Sequence, residues 1–215
     1  AGLHISIIKR IPSQAGLGGG SSNAAAVFKA LRHLLQLPVG DDEFSSLAAQ
    51  VGSDVPFFLA GGTARAKGRG EEIVLLPDIR PRSLLLVKPP FGVSTPWAYH
   101  KLDEMKADLP EKTSGTITDR LCVCIESEHC EKLPGLLGND LELPAFEEYP
   151  QIAEIKEGLL RAGAEGALMS GSGSAVFGLF RDEDEATRVA KDFAQAGSTF
   201  TARTIGRSET GYSSS

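Results

Sequence analysis

One stretch limits what this chain can become more than any other: Pro12-Ser13-Gln14-Ala15-Gly16-Leu17-Gly18-Gly19-Gly20-Ser21-Ser22-Asn23, followed at once by Ala24-Ala25-Ala26-Val27-Phe28. From Gly16, four of five consecutive positions are glycine. The backbone there carries no Cβ shield and can take positive φ, so successive N–H groups can turn toward one object. Beyond the loop, Val27, Phe28, Leu31, Leu34 and Leu35 recur at helical spacing, with Lys29, Arg32, His33 and Gln36 on the other side. A helix is therefore expected where the glycines end, capped by Ser21, Ser22 or Asn23. Its first N–H groups lack internal partners and its dipole is positive at that end, which suits an anion with several oxygens, above all a phosphate chain.

Two commoner phosphate loops do not fit. A Walker A loop needs Gly-Lys-Ser/Thr, and no lysine lies between Lys9 and Lys29; a dinucleotide fingerprint from Gly16 needs glycine where Ser21 stands. A plain glycine connector from strand to helix is the competing reading. The Ser-Ser-Asn run at the helix start favours phosphate.

These residues carry a family resemblance. Pro-x3-Gly-Leu-Gly-Gly-Gly-Ser-Ser-Asn-Ala-Ala resembles the nucleotide loop of the GHMP kinases, a family named for galactokinase, homoserine kinase, mevalonate kinase and phosphomevalonate kinase. With Lys9-Arg10-Ile11-Pro12 before it and Gly52-Ser53-Asp54-Val55-Pro56-Phe57-Phe58 after it, the pattern is most similar to the branch that phosphorylates a cytidine diphosphate derivative of a methylerythritol. The resemblance implies ATP with Mg2+ and transfer of the γ-phosphoryl group to that substrate's 2-hydroxyl, a step toward isoprenoid precursors. It implies ATP binding by Pro12, Ser13, Gln14, Ala15, Gly16, Leu17, Gly18, Gly19, Gly20, Ser21 and Ser22. The alternatives are another small-molecule kinase of the family, of homoserine or mevalonate type, and a fragment that binds nucleotide without transfer.

Composition sets the broad class. The chain has 215 residues, 41% hydrophobic and 23% charged, enough to bury one large core or two modest ones. A net charge of −6 argues against a nucleic-acid-coating surface. Cys122, Cys124 and Cys130 give no disulfide framework and suit a reducing compartment, so the cytoplasm is expected. No apolar run approaches the ~20 residues that span a bilayer, and no signal peptide is evident. The expected partner is a small molecule, with no nucleic acid or membrane, and the expected state is a monomer or weak homodimer.

Residues 3 to 11 alternate early and are rich in isoleucine, so they read as a strand entering the glycine loop. Up to residue 80 the only other strand candidates are around Thr63 to Lys67 and Glu72 to Leu76, a thin sheet under at least two apolar helices. The chain starts at Ala1, and the family's earlier Pro-x-Lys-x-Asn pattern and Gly-Tyr-His element are not in it. It therefore reads as a fragment whose upstream part would supply further strands and, by the resemblance, the family's catalytic lysine.

After a turn at Leu37-Pro38-Val39-Gly40, Asp41 or Asp42 is expected to cap a second helix with Phe44, Leu47, Ala48 and Val51 on its apolar side. Asp54 then precedes a very apolar turn. It reads as a helix cap with proline in the first turn. A kinase acting on an alcohol also gains from a carboxylate that takes or orients the hydroxyl proton, and the resemblance gives Asp54 that role. Both can hold together. Lys9 or Arg10 could offset charge on ATP or substrate, or be ordinary strand-end cations; of the two, Lys9 is the candidate substrate-binding residue. Arg65, Lys67 and Arg69 read as solvated cations near glycine turns.

The composition shifts around Pro77 to Pro81, which divides the chain into residues 1–80, the remainder of an ATP-binding domain, and 81–215. Leu84 to Val87 is a buried strand, and Ser94 or Thr95 begins a helix with Pro96 in its first turn. Trp97 reads as core, whereas Tyr99 can stack on a base; the resemblance places Thr95 and Tyr99 beside cytosine. Cys122-x-Cys124-x5-Cys130 next to His129 lacks the Cys-x2-Cys and second pair of a structural zinc site, so no metal ligands are assigned. Asn139-Asp140-Leu141-Glu142 reads as the acidic approach to a helix carrying Ile152, Ile155, Leu159 and Leu160.

Ala167 to Met169, then Ser170-Gly171-Ser172-Gly173-Ser174, then Ala175 to Phe180 read as strand, glycine turn, strand. This second glycine cluster resembles the family's third motif, which implies packing against the first loop and a substrate-binding role for Gly171, Ser172 and Gly173. Asp184 to Ala196 is an amphipathic helix, Thr199 to Thr204 a last strand, and residues 211 to 215 a loose tail. The fold class is therefore α+β: a partial domain like ribosomal protein S5, completing the GHMP kinase two-domain fold with a ferredoxin-like domain whose helices cover one face of an antiparallel sheet.

Overall fold

A computed structural model describes residues 2–106, 116–127 and 130–210, with nothing described of the Cys130 side chain. His129 and the tail from 211 lie outside the described residues.

The C-terminal sheet has four antiparallel strands: β3 (Ser83–Lys88), β4 (Gly166–Met169), β5 (Val176–Phe180) and β6 (Ser198–Arg203), in the order β4-β5-β3-β6. With helices between β3 and β4 and α8 (Glu183–Ala190) between β5 and β6, this is the ferredoxin-like path, the first and third strands lying inside. The register sets Leu85 opposite both Gly178 and Thr201. Alternate residues then point to one face, where Leu85, Val87, Val176 and Phe180 meet Ile152, Ile155 and Leu159 of α7 (Pro150–Arg161) and Ala186 and Val189 of α8.

Helices were expected on one face only, and the structure corrects this. Leu84, Phe177 and Leu179 point the other way, against Cys122 and Ile125 of α5 (Ile117–Glu126) and Leu133 of the 3-10 helix Cys130–Leu136. The reason is in the strands: β3 and β5 carry apolar residues at both parities, so both faces need cover. Cys122 is part of this packing, and Cys124 is buried as well.

The N-terminal part comprises α1 (Gly19–Leu34), α2 (Asp41–Val51), α3 (Val55–Ala60) and the antiparallel pair β1 (Ala64–Lys67) and β2 (Glu72–Leu75). Ala25, Ala48 and Val55 form its small core, joined by Phe28, Phe58 and Leu59. Leu34, Leu35, Leu47 and Val51, read as apolar-face residues, are exposed instead. Leu160 of α7 is likewise outside its helix's buried stripe.

The strand expected over residues 3 to 11 does not form: residues 2–10 join no ladder among the described residues, and Leu3, Ile5, Ile7, Ile8 and Ile11 are exposed. An isoleucine-rich segment becomes a strand only when its N–H and C=O groups find a neighbour, and β1 and β2 pair with each other. Lys9 and Arg10 are accordingly not strand-end residues.

A C-terminal 3-10 turn, Arg207–Thr210, returns to the N-terminal part. Asp78 accepts the backbone N–H of Arg207 (2.7 Å) and of Thr63 (3.1 Å). No helix of the described residues is long and apolar enough to cross a membrane.

Candidate functional site

The expected caps of α1 are displaced. The helix begins at Gly19, and its N-cap is Gly18 at φ 63°, so Ser21, Ser22 and Asn23 lie inside the helix as its third to fifth residues. Glycine at positive φ lets the chain enter the helix earlier than a Ser or Asn cap would. Gly18 makes no side-chain cap bond, and the Ser22 hydroxyl donates back to Gly19 O (3.0 Å). The N–H groups of Gly19, Gly20 and Ser21 therefore keep their donor capacity at the positive end of the helix, whereas Ser22 N–H donates to Gly18 O (2.9 Å). A Cβ built on Gly20 would meet nothing within 4 Å, so the first turn is open at that residue, whereas Phe58 and Ile11 stand close to Gly18 and Gly19.

Around that helix start three loops from distant parts of the chain converge. Ser170 Oγ donates to Gly16 O (2.9 Å), and Ala175 N donates to Ala15 O (3.2 Å). A Cβ on Gly16 would lie 1.8 Å from Ser170 O, so the two glycine loops touch backbone to backbone. The third loop joins β3 to α4 (Thr95–Lys106). Gln14, at φ 52°, packs on Gly92; the Ser174 hydroxyl donates to Phe91 O (2.5 Å); and the hydroxyls of Thr95 and Ser172 bond at 2.7 Å. Phe91 stacks on Tyr149, and Trp97 meets the same ring edge-on, which anchors this loop in the core. Tyr99 is exposed and lies one turn from Thr95, on the same side of α4.

Asp54 stands at the N-cap position of α3, with Pro56 in the first turn, but its carboxylate makes no capping bond. The positional half of the cap reading holds and the side-chain half does not. Four residues on, about 6 Å along the axis, the Phe58 ring faces Gly18, where a Cβ would lie 2.6 Å from it. Lys29 Nζ donates to Phe58 O (3.0 Å), tying α1 to α3, and burial pushes this amine below the usual lysine range. The start of α3 is thus fixed against the start of α1. Ser53, the residue before Asp54, lines a hollow of about 290 Å3 together with Ser46, Ala49, Gln50, Arg69 and Glu71. Gly70 backs onto the carboxylate, since a Cβ there would lie 3.4 Å from Asp54 Oδ1.

Of the other cations, Lys9 Nζ bonds the Ser13 hydroxyl (3.0 Å) at the edge of the first loop. Arg65, read as solvated, instead pairs with Asp119 of α5 at 2.7 Å. Among the described residues no group of three His, Cys, Asp or Glu could hold a metal ion.

Sequence reasoning missed the support of the second glycine loop. The Asn139 amide donates to Met169 O (2.9 Å) and Gly171 O (2.7 Å), and its oxygen accepts Leu141 N–H (3.0 Å). Glu142, the first residue of α6 (Glu142–Glu148), accepts Met169 N–H (3.0 Å) and pairs with Lys156 (2.6 Å). The one local signal was an Asn placed where it could turn the chain into a helix.

Comparison with known proteins fits this arrangement. The family described as GHMP kinases N terminal domain matches residues 1–62, and the one described as GHMP kinases C terminal matches residues 127–199. A 4-diphosphocytidyl-2-C-methyl-D-erythritol kinase of Geobacter metallireducens is 42% identical over 202 residues, covering 93% of this chain and 67% of the relative. The chain belongs to the GHMP kinase family. A relative of the same name from Geobacillus kaustophilus is 44% identical over 188 residues, covering 87% of this chain; the chain spans 63% of that relative's length. A crystal structure of 4-(cytidine 5'-diphospho)-2C-methyl-D-erythritol kinase superposes with a TM-score of 0.74 at 35% identity, over 92% of this GHMP kinase chain and 69% of the other.

Proposed function

We propose that the protein containing this chain transfers the γ-phosphoryl group of ATP to the 2-hydroxyl of 4-diphosphocytidyl-2-C-methyl-D-erythritol. The observation that carries the reading is the convergence of the loops at residues 13–18, 91–95 and 170–174 on the uncapped start of α1. Such a start offers a phosphate chain several N–H groups and a positive dipole end. The choice of acceptor rests on the names of relatives 42 to 44% identical to this chain.

In this reading Pro12 through Ser22 hold ATP, with the N–H groups of the loop and the first turn of α1 on the phosphates. Mg2+ travels with the nucleotide, where it neutralises charge on the transferring phosphoryl group. Asp54 orients the acceptor hydroxyl or takes its proton, for which its uncapped carboxylate is available. Thr95, Tyr99 and residues 171–173 border the acceptor, the exposed ring of Tyr99 stacking on its cytosine, and Lys9 offsets phosphate charge from the loop's edge. The cytoplasm is the proposed location.

Asp54→Asn in the full-length protein tests the assignment. ATP affinity, by calorimetric titration, should be retained, while turnover of the diphosphocytidyl alcohol falls by about 10²-fold or more. Unchanged turnover removes Asp54 from the mechanism. A homoserine or mevalonate acceptor preferred in a coupled ADP-release screen overturns the choice of substrate.

A further inference from the structure

Asn139 lies 30 and 32 residues from the carbonyls it binds, on the short stretch that leads into α6. Its amide has two donors and one acceptor group, and all are engaged: the donors on Met169 O and Gly171 O, the acceptor on Leu141 N–H. This fixes the amide's orientation, since the flipped form would set its oxygen against two carbonyls and its NH2 against an N–H. The two gripped carbonyls flank Ser170, whose hydroxyl holds Gly16 of the first loop, and precede Ser172, whose hydroxyl meets Thr95.

We propose that Asn139 is a positioning residue for the acceptor side of the site: its amide clamps residues 169–171, and so sets where Ser172 and Gly173 stand against Thr95. Glu142 holds the same strand end through Met169 N–H and is braced by Lys156, while Asp140 pairs with Lys106 at the end of α4 (2.7 Å). The stretch 139–142 thus ties the second glycine loop to the C-terminal end of α4, the helix that carries Thr95 and Tyr99, and to Lys156 of α7. The acceptor role rests on the function proposed above; the clamp itself does not.

The test is Asn139→Asp in the full-length protein. The substitution keeps shape and the acceptor for Leu141 N–H, but turns a carboxylate oxygen toward two carbonyls, removing both donated bonds. Amide exchange followed by mass spectrometry should quicken about tenfold in peptides covering residues 170–174 and stay unchanged in α7, because two local hydrogen bonds are lost. In steady-state assays the acceptor KM should rise about tenfold, with the ATP KM within about twofold and no loss of kcat beyond about threefold. Unchanged exchange in 170–174, or equal quickening in α7, overturns the clamp. Local quickening without a rise in acceptor KM overturns the acceptor-side role. If wild-type protein fails to phosphorylate the diphosphocytidyl alcohol while local quickening is seen, the clamp stands and the proposed substrate falls. Should Asn139→Asp not fold, Asn139→Ser, which is too short to reach either carbonyl, is read by the same two measurements.

Discussion

Gly16→Ala is the sharpest perturbation of the site's architecture. Gly16 sits at φ 70°, and an alanine Cβ there would lie 1.8 Å from Ser170 O, 2.8 Å from Ser170 C and 3.1 Å from Gly173 N. All three are backbone atoms, so no side chain can swing aside; one loop must move off the other. That movement breaks the bonds from Ser170 Oγ to Gly16 O and from Ala175 N to Ala15 O. A left-handed conformation costs a non-glycine residue about 1 to 2 kcal/mol, and each lost bond about 0.5 to 1.5 kcal/mol. The expected destabilisation is about 2 to 5 kcal/mol, read as a lowered urea midpoint at unchanged m-value. Gly20→Ala is the internal control: it lies in the same loop, inside the first turn of α1, where a Cβ meets nothing within 4 Å. It should be neutral or stabilise by up to about 1 kcal/mol, because alanine loses less backbone freedom in a helix. A Gly16→Ala midpoint equivalent to within about 0.5 kcal/mol of wild type refutes the claim that the two loops are locked backbone to backbone.

Asp78 provides a pH-dependent test. The Arg207 backbone N–H, against an opposing effect of burial and with lesser help from the Thr63 N–H and the Arg207 charge, holds its carboxyl below the usual range. Its contribution is therefore present above the ordinary carboxylate pKa and lost as pH falls through the depressed folded value. The stability gap between wild type and Asp78→Asn should narrow from pH 7 to pH 3 in urea titrations, since a protonated carboxyl resembles the amide; a constant gap contradicts the linkage. In the core, Phe180 is fully buried between the sheet and α7, so Phe180→Ala should cost about 3 to 5 kcal/mol by the same measurement, and a loss under about 1 kcal/mol contradicts the packing.

Periodicity carried the C-terminal half of the fold. The stretches read as strands at 84–87, 167–169, 175–180 and 199–204 became the strands 83–88, 166–169, 176–180 and 198–203, because each found a ladder partner within the described residues. Residues 3 to 11 carry a pattern as strong and join no ladder among the described residues, since a strand is a property of a pair and one segment's pattern does not report its partner. The cap of α1 was misplaced for a related reason. Ser and Asn are good caps on average, but Gly18 reached the required geometry first by adopting a backbone angle that no side-chain pattern reports.

What stayed hidden at the site is long-range polar geometry. Thr95 and Ser172 are 77 residues apart, and Ser170 and Gly16 are 154 apart; hydrogen bonds at such separations leave no local trace in composition or period. The glycines did leave one. Two clusters of residues without side chains, each costly in chain entropy, make sense together only if something must come as close to both as a backbone does. In the structure each is, first of all, the object the other approaches: Gly16 has no room for a Cβ because of Ser170, and a Cβ on Gly171 would lie 3.1 Å from Gly16 O, a closer contact than usual. Part of the glycine content thus serves contact between the loops, and part, as at Gly20, faces open space. A ligand is needed to account only for the second part, and it is there, at the first turn of α1, that the proposed phosphate contacts lie.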